Sequence, residues 1–272
     1  MVNILLSDEL ESQLKATLPL CKSDVNIITA FCKISTLKML DSLIKEGVRK
    51  RILVRFLPSD ISSGATDKEI YKYCKDNNWL IYVDHTIHAK TYIFDKLKCI
   101  LGSANATNRG IGISDNANKE ASAFFEIDDT DYSKILTLYR DSIVLDDELY
   151  NYIISYTDDE AVIKHKKSVQ KERNIECLLP EDFPDGDMDI IELYNLKSYR
   201  WLVKYLSSKE DNMAYFGELS SKIHDIFVKD PRPFRKDIKM YLAILIEKIK
   251  ELDPNIIVSR PNYSECLQLK RD

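Results

Sequence analysis

Between residues 25 and 145 the chain switches repeatedly between two hydrophobic periods, and this alternation restricts its fold more than any other feature. Val25–Cys32 is short, apolar and β-branched, the pattern of a strand buried on both faces. Ile34–Glu46 instead sets Leu37, Leu40, Leu43 and Ile44 at helical spacing before Gly47, a natural stop. Arg51–Leu57 reads as a strand ended by Pro58, and Asp67–Asp76 as a helix. Leu80–Asp84, Ala89–Asp95, Lys98–Ser103 and Ala121–Ile127 read as further strands, and Asp131–Leu145 as one amphipathic helix. Strands alternating with helices predict an α/β layered domain around a mostly buried sheet.

Charge and turn residues divide the chain. Residues 1–150 carry 19 basic and 22 acidic side chains, residues 151–187 carry 5 and 9, and residues 188–272 carry 15 and 13. The acidic middle ends in LLPEDFPDGDMDI, where two prolines and a glycine among five acids cannot bury themselves. The expected division is therefore a catalytic domain over 1–150, an acidic helical connector over 151–187 and a C-terminal domain over 188–272. In the last part, Ile190–Leu206, Phe216–Val228 and Arg235–Leu252 read as helices, followed by a strand–turn–strand over Ile256–Arg260 and Glu265–Arg271. That order resembles a winged helix-turn-helix module. Tyr194, Tyr199, Trp201 and Tyr205 lie at spacings expected of packing.

No apolar run approaches 18 residues, so no membrane-spanning helix is expected. The start, MVNILLSDELESQLK, meets acids within eight residues, which argues against a secretory leader. Six scattered cysteines without a CxxC pair point to reduced thiols in a cytoplasm rather than to a zinc site. A net charge of −5 excludes a uniformly basic nucleic-acid coat and leaves only local basic patches.

The chemistry is concentrated in His88-Ala-Lys90-Thr-Tyr-Ile-Phe-Asp95 and Gly102-Ser103-Ala-Asn105. As HxKx4Dx6GSxN, this pattern arises by chance on the order of 10⁻⁸ times per position. In a strand, residues two apart share a face, so His88 and Lys90 point the same way, as do Ser103 and Asn105. An imidazole, a cation and two neutral hydrogen-bonding groups suit a phosphate diester, with His88 for attack or proton transfer and Lys90 and Asn105 for the phosphate oxygens. Asp95 has the opposite parity, which favours a structural task.

The segment resembles the signature of the phospholipase D superfamily at every fixed position, and the surrounding pattern extends the likeness over roughly residues 20–145. The resemblance implies a phospholipase D-like α/β/α sandwich with a mixed sheet, a covalent phosphohistidine and no cofactor or metal. It also implies an acid bonded to the histidine's other nitrogen. Glu120 is the best match and Glu126 the weaker one.

Family members use two motifs, and here a second is missing. His165-Lys166-Lys167 satisfies HxK, but Glu172 replaces the Asp and no GSxN follows, while His224 lacks the lysine. The expected resolution is a symmetric homodimer in which His88 and Lys90 of two chains meet. Basic clusters at Arg49, Lys50 and Arg51 with Arg55, and at Arg232, Arg235, Lys236 and Lys239, with Arg260 on the wing, are candidate nucleic-acid contacts beside their plainer reading as solvated faces. His85, three residues before His88, and the Gly110-x-Gly112 pair read as loop and turn.

The leading expectation is a metal-independent, homodimeric nuclease that cleaves DNA or RNA in bacterial restriction or phage defence, with DNA favoured as partner and a regulatory protein as a further one. No membrane partner is expected. The alternatives are a lipid phosphodiesterase or transferase and a non-catalytic DNA-binding regulator that dimerises through this domain.

Overall fold

The computed structural model describes residues 2–159, 177–227 and 235–270, and the chain forms two compact units, residues 1–171 and 172–272. The first unit is built on an eight-stranded mixed sheet. In chain order its strands are β1 (Asn3–Leu6), β2 (Asp24–Thr29), β3 (Arg49–Val54), β4 (Trp79–Val83), β5 (Thr91–Phe94), β6 (Lys98–Gly102), β7 (Ala121–Glu126) and β8 (Ile143–Val144). They lie in the order β1-β7-β6-β5-β2-β3-β4-β8. The neighbours β2, β3 and β4 are parallel and joined through helices, and every other pairing is antiparallel.

Alternation decides which side chains meet the main core. Val25 and Ile27 of β2, Ile52 and Val54 of β3, and Ile81 and Val83 of β4 pack with Leu10 and Leu14 of helix α1 (Ser7–Thr17) and Leu37 and Leu40 of α2 (Ile34–Ser42). Helices α3 (Pro58–Ser62), α4 (Ile70–Asp76), α5 (Asp129–Leu136) and α6 (Asp147–Ile154) complete the layers. Each expected strand is present, shifted by up to three residues at its ends. Sequence reading assigned neither β1, whose four residues at a sheet edge carry too little pattern to register, nor α1.

The expected helix over 131–145 ends early. It stops at Leu136, continues as a 3-10 turn and gives way to β8 on the outer edge of β4. The buried Ser142 donates its hydroxyl to the Tyr139 carbonyl (2.8 Å), which competes with the helical ladder, and Ile143 and Val144 are β-branched.

In the second unit the expected helix over 190–206 is two, α7 (Ile190–Asn195) and α8 (Lys197–Ser207), broken at Leu196. Arg200 caps the break, donating from Nε to the Tyr194 carbonyl (3.0 Å) and from Nη2 to Asn195 Oδ1 (3.1 Å). Strand β9 (Met213–Tyr215), α9 (Phe216–Ile226), α10 (Arg235–Leu252), β10 (Ile256–Ser259) and β11 (Cys266–Leu269) follow. The three strands pair in the order β10-β11-β9. Strand β9 pairs with β11, so two helices lie between the first strand and the closing hairpin. Tyr194 and Tyr199 are buried ring against ring, with centroids 5.4 Å apart, and Tyr199 donates to Asp253 (2.6 Å). His165 and Arg232 lie outside the described residues.

Candidate active site

One end of the first unit's sheet gathers the chemistry. There β2 and β3 finish, β5 begins, β6 finishes and β7 begins, because β5 runs against β2 and β7 against β6. His88 and Lys90 precede β5, Ser103 and Asn105 follow β6, and Glu120 precedes β7. Residues scattered over thirty positions of sequence thus share one rim of the sheet.

His88 is exposed, whereas Lys90 is buried, with 8% of its surface accessible. Lys90 Nζ donates to the His88 carbonyl (2.5 Å), so the cation is fixed against the backbone of the residue it serves. The Lys90 charge, then partial burial, then the Arg55 charge hold the His88 imidazole below its ordinary pKa. Burial chiefly, and Arg55 with it, lower Lys90, while Glu120 pulls it back up.

Asn105 is oriented by its acceptor side. Its Oδ1 receives the Phe31 N–H (3.1 Å) and lies 3.2 Å from the Thr29 hydroxyl, which itself receives the Ala106 N–H (3.1 Å). The Asn105 amide nitrogen makes no hydrogen bond among the described residues, so its donors are left for a ligand. Ser103 donates its hydroxyl to Glu120 Oε2 and receives the Ala121 N–H (3.2 Å).

Glu120 corrects one expectation. Its carboxylate is engaged by Ser103 and by Asn118 Nδ2 (3.1 Å), so within the chain it braces the serine rather than the histidine. The reason is topological: Glu120 precedes β7, which pairs with the strand of Ser103 and lies two strands from β5. Its backbone N–H donates to Ser7 Oγ (2.7 Å), which ties the start of α1 to the site. Glu126 sits at the opposite end of β7, across from Lys98.

The glycine of GSxN has a steric task. A Cβ at Gly102 would stand 2.2 Å from Ser122 Oγ and 2.5 Å from the Ala121 carbonyl, so only glycine lets β6 close on β7 here. Gly112, at φ +90°, likewise lets the loop after Asn105 meet the Ser7 carbonyl.

Asp95 lies at the far end of β5 from His88, in the turn to β6, with Asp95 and Lys96 both at positive φ. Its carboxylate accepts the N–H groups of Lys22 (2.9 Å), Ser23 (2.7 Å) and Asp24 (3.1 Å) and the Ser23 hydroxyl (2.9 Å). Burial works against its charge, but these backbone and hydroxyl donors outweigh it and hold the group below the ordinary carboxylate range.

Arg55, which the sequence groups with the basic run before it, follows β3 and stands apart from that run. Its guanidinium lies 4.8 Å from the Phe31 ring and makes a two-point pair with Asp60, Nε at 2.8 Å and Nη2 at 2.9 Å.

The basic cluster before it lies at the other end of the sheet. Arg51 is 1% exposed, beside Asp24, and presents no charge to a ligand, because its alternation turns it into the buried sheet face. Lys50 is taken up by Asp41 (2.7 Å) and the Trp79 ring, and Arg49 is exposed at the strand's start. In the second unit Lys236, Lys239 and Arg260 are exposed, and Arg235 opens α10. Among the described residues, no three His, Cys, Asp or Glu side chains group as metal ligands. His85 is largely enclosed, and burial lowers its pKa.

Among solved structures, NucT from Helicobacter pylori is similar over 52% of this chain and 94% of its own, at 16% identity and a TM-score of 0.39. A phospholipase D family member, Nuc, from Salmonella typhimurium is similar over 52% and 92%, at 18% and 0.41. Phosphatidylserine synthase from Haemophilus influenzae is similar over 61% and 44%, at 16% and 0.42. No curated protein matches the chain. The family model described as cardiolipin synthase, phospholipase D-like domain, matches residues 14–139, which carry the whole HxKx4Dx6GSxN signature and the rim it occupies. Residues 14–139 are therefore similar to a phospholipase D-like domain.

Proposed function

We propose that the protein is a nuclease that cleaves a phosphodiester through a covalent intermediate on His88, working as a homodimer. The domain supports phosphodiesterase-type chemistry. The observation that carries the reading is the rim itself: an exposed imidazole whose pKa the fixed Lys90 lowers, beside an asparagine whose amide donor makes no hydrogen bond among the described residues.

In the proposed reaction the neutral His88 attacks phosphorus, forming a P–N bond as one P–O bond breaks. Lys90 and Asn105 hold the non-bridging oxygens, where negative charge builds. A second imidazole, entering the reaction protonated, gives its proton to the departing oxygen, and in its neutral form then takes a proton from the water that attacks phosphorus and releases His88. This chain has one complete motif, so the second imidazole is supplied by His88 of the partner subunit.

Two features favour nucleic acid and a second copy. Next to the site, Ile4 (67% exposed), Leu6 (55%) and Leu101 (49%) lie uncovered on one face of β1 and β6, with Ala123 of β7 between Ile4 and Leu101 in register. Such an apolar sheet face continuous with a half-complete site suits a twofold partner. The winged-helix order of the second unit, with Lys236, Lys239 and Arg260 exposed, suits a DNA contact. Among the described residues no helix is long and apolar enough to cross a membrane.

The test is cleavage of plasmid, single-stranded DNA and RNA in EDTA by wild type and His88→Ala. Wild type is expected to cut in chelator, His88→Ala to lose at least about a thousandfold, and acid-labile phosphate to be trapped on His88. Activity abolished by EDTA would sink the phosphohistidine route. Cleavage of phosphatidyl lipids but not nucleic acid would move the substrate to the lipid class.

A further inference from the structure

We infer that Arg55 is a further substrate-binding residue, taking the phosphate next to the scissile one, so that the site selects a chain of phosphodiesters over a single diester. The inference rests on the nucleic-acid reading above and names a determinant within it.

Position comes first. Arg55 follows β3, and the rim order β6-β5-β2-β3 places it two strands from Lys90, roughly 10 Å along the sheet. Its guanidinium is anchored at two points. Asp60, 7% exposed, holds the Nε and Nη2 edge, and the Phe31 ring supports the planar face. Phe31 is also the residue whose N–H orients Asn105, so the aromatic fixes the arginine and the phosphate-binding amide together.

The remaining edge is chemically suited to phosphate. Asp60 uses two of the five guanidinium N–H groups, and Nη1 makes no hydrogen bond among the described residues. The arginine side chain stays partly accessible, at 18%. A guanidinium fixed in place and offering a donor edge binds a phosphate oxygen at little cost in side-chain entropy. A structural ion pair alone would not need an accessible donor edge on the rim of the site. The same charge depresses both His88 and Lys90, which shows that its field reaches the reacting groups.

Binding of fluorescein-labelled oligothymidylates to the full-length His88→Ala protein tests this. Probes with one internal phosphodiester and with seven are titrated across a range of salt, and thermal melting is followed in parallel. The longer probe is expected to bind at least tenfold tighter. Arg55→Gln is expected to weaken the longer probe several-fold more than the shorter and to reduce its salt slope by roughly 0.7, one phosphate contact on a single strand. Arg55→Lys keeps the charge, guards against a simple folding defect and is expected to recover most of the slope. An unchanged slope, or equal loss on both probes, would overturn the inference while leaving the nuclease reading in place. Binding of phosphatidylglycerol vesicles with no binding of either probe would overturn both.

Discussion

At the residue scale, the motif's charged groups have separate tasks that distance makes plain. Asp95 and His88 sit at opposite ends of β5, so the aspartate acts on the fold. Replacing Asp95 with Asn leaves several N–H donors poorly matched and is expected to cost about 1–3 kcal/mol of stability by denaturant melting. Because its folded pKa lies below the unfolded value of 3.8, its contribution is full above that value and lost as pH falls through the folded one. The variant should therefore show a shallower acid-side loss than wild type. His88 offers a second test. Lys90 is the largest cause of its lowered pKa, so Lys90→Met should move the His88 titration upward toward 6.5, read by NMR with His88→Ala for assignment. An unmoved midpoint would remove the lysine from that role. Both identities and opposite parities were legible in the sequence. The partners of Glu120 and the place of Arg55 at the site were not, because each depends on which strands lie side by side.

At the element scale, the site depends on two backbones approaching more closely than any side chain allows. A Cβ at Gly102 would collide with the Ala121 carbonyl, a backbone atom that cannot rotate away. Gly102→Ala should cost about 1–3 kcal/mol through forced displacement of β6 from β7. Activity should fall with it, since Ser103 and Asn105 are carried on the displaced strand's end. A variant with unchanged melting and activity would count against this packing. Secondary structure was read well where apolar period and turn residues agreed, as for β2, α2 and α10. It failed at β1, β8 and β9, which have four, two and three residues and exist only because a neighbouring strand offers an edge. The break at Leu196 was hidden for another reason: apolar residues keep helical spacing through it, and the side chain of Arg200 satisfies the carbonyls it exposes.

At the scale of the whole molecule, the proposed two-histidine chemistry needs a partner for a chain with one complete motif, and the uncovered face of β1 and β6 with Ala123 between them is the surface proposed for it. Ile4→Lys with Leu101→Lys should halve the mass seen by light scattering from that of a dimer. It should also lower cleavage by at least tenfold while leaving the monomer folded by circular dichroism. A dimer that survives both lysines would place the twofold contact elsewhere. The sequence by itself determined the motif residues and pointed to phosphodiesterase-type chemistry, since residue identities at fixed spacing are local. It also determined the layered α/β plan, because hydrophobic period follows local geometry. Only the tertiary structure decided that Arg51 is interior while Arg55 stands at the site, and that Glu120 braces Ser103. Strand order and register bring together residues far apart in sequence, and no local pattern encodes which ends of which strands will meet.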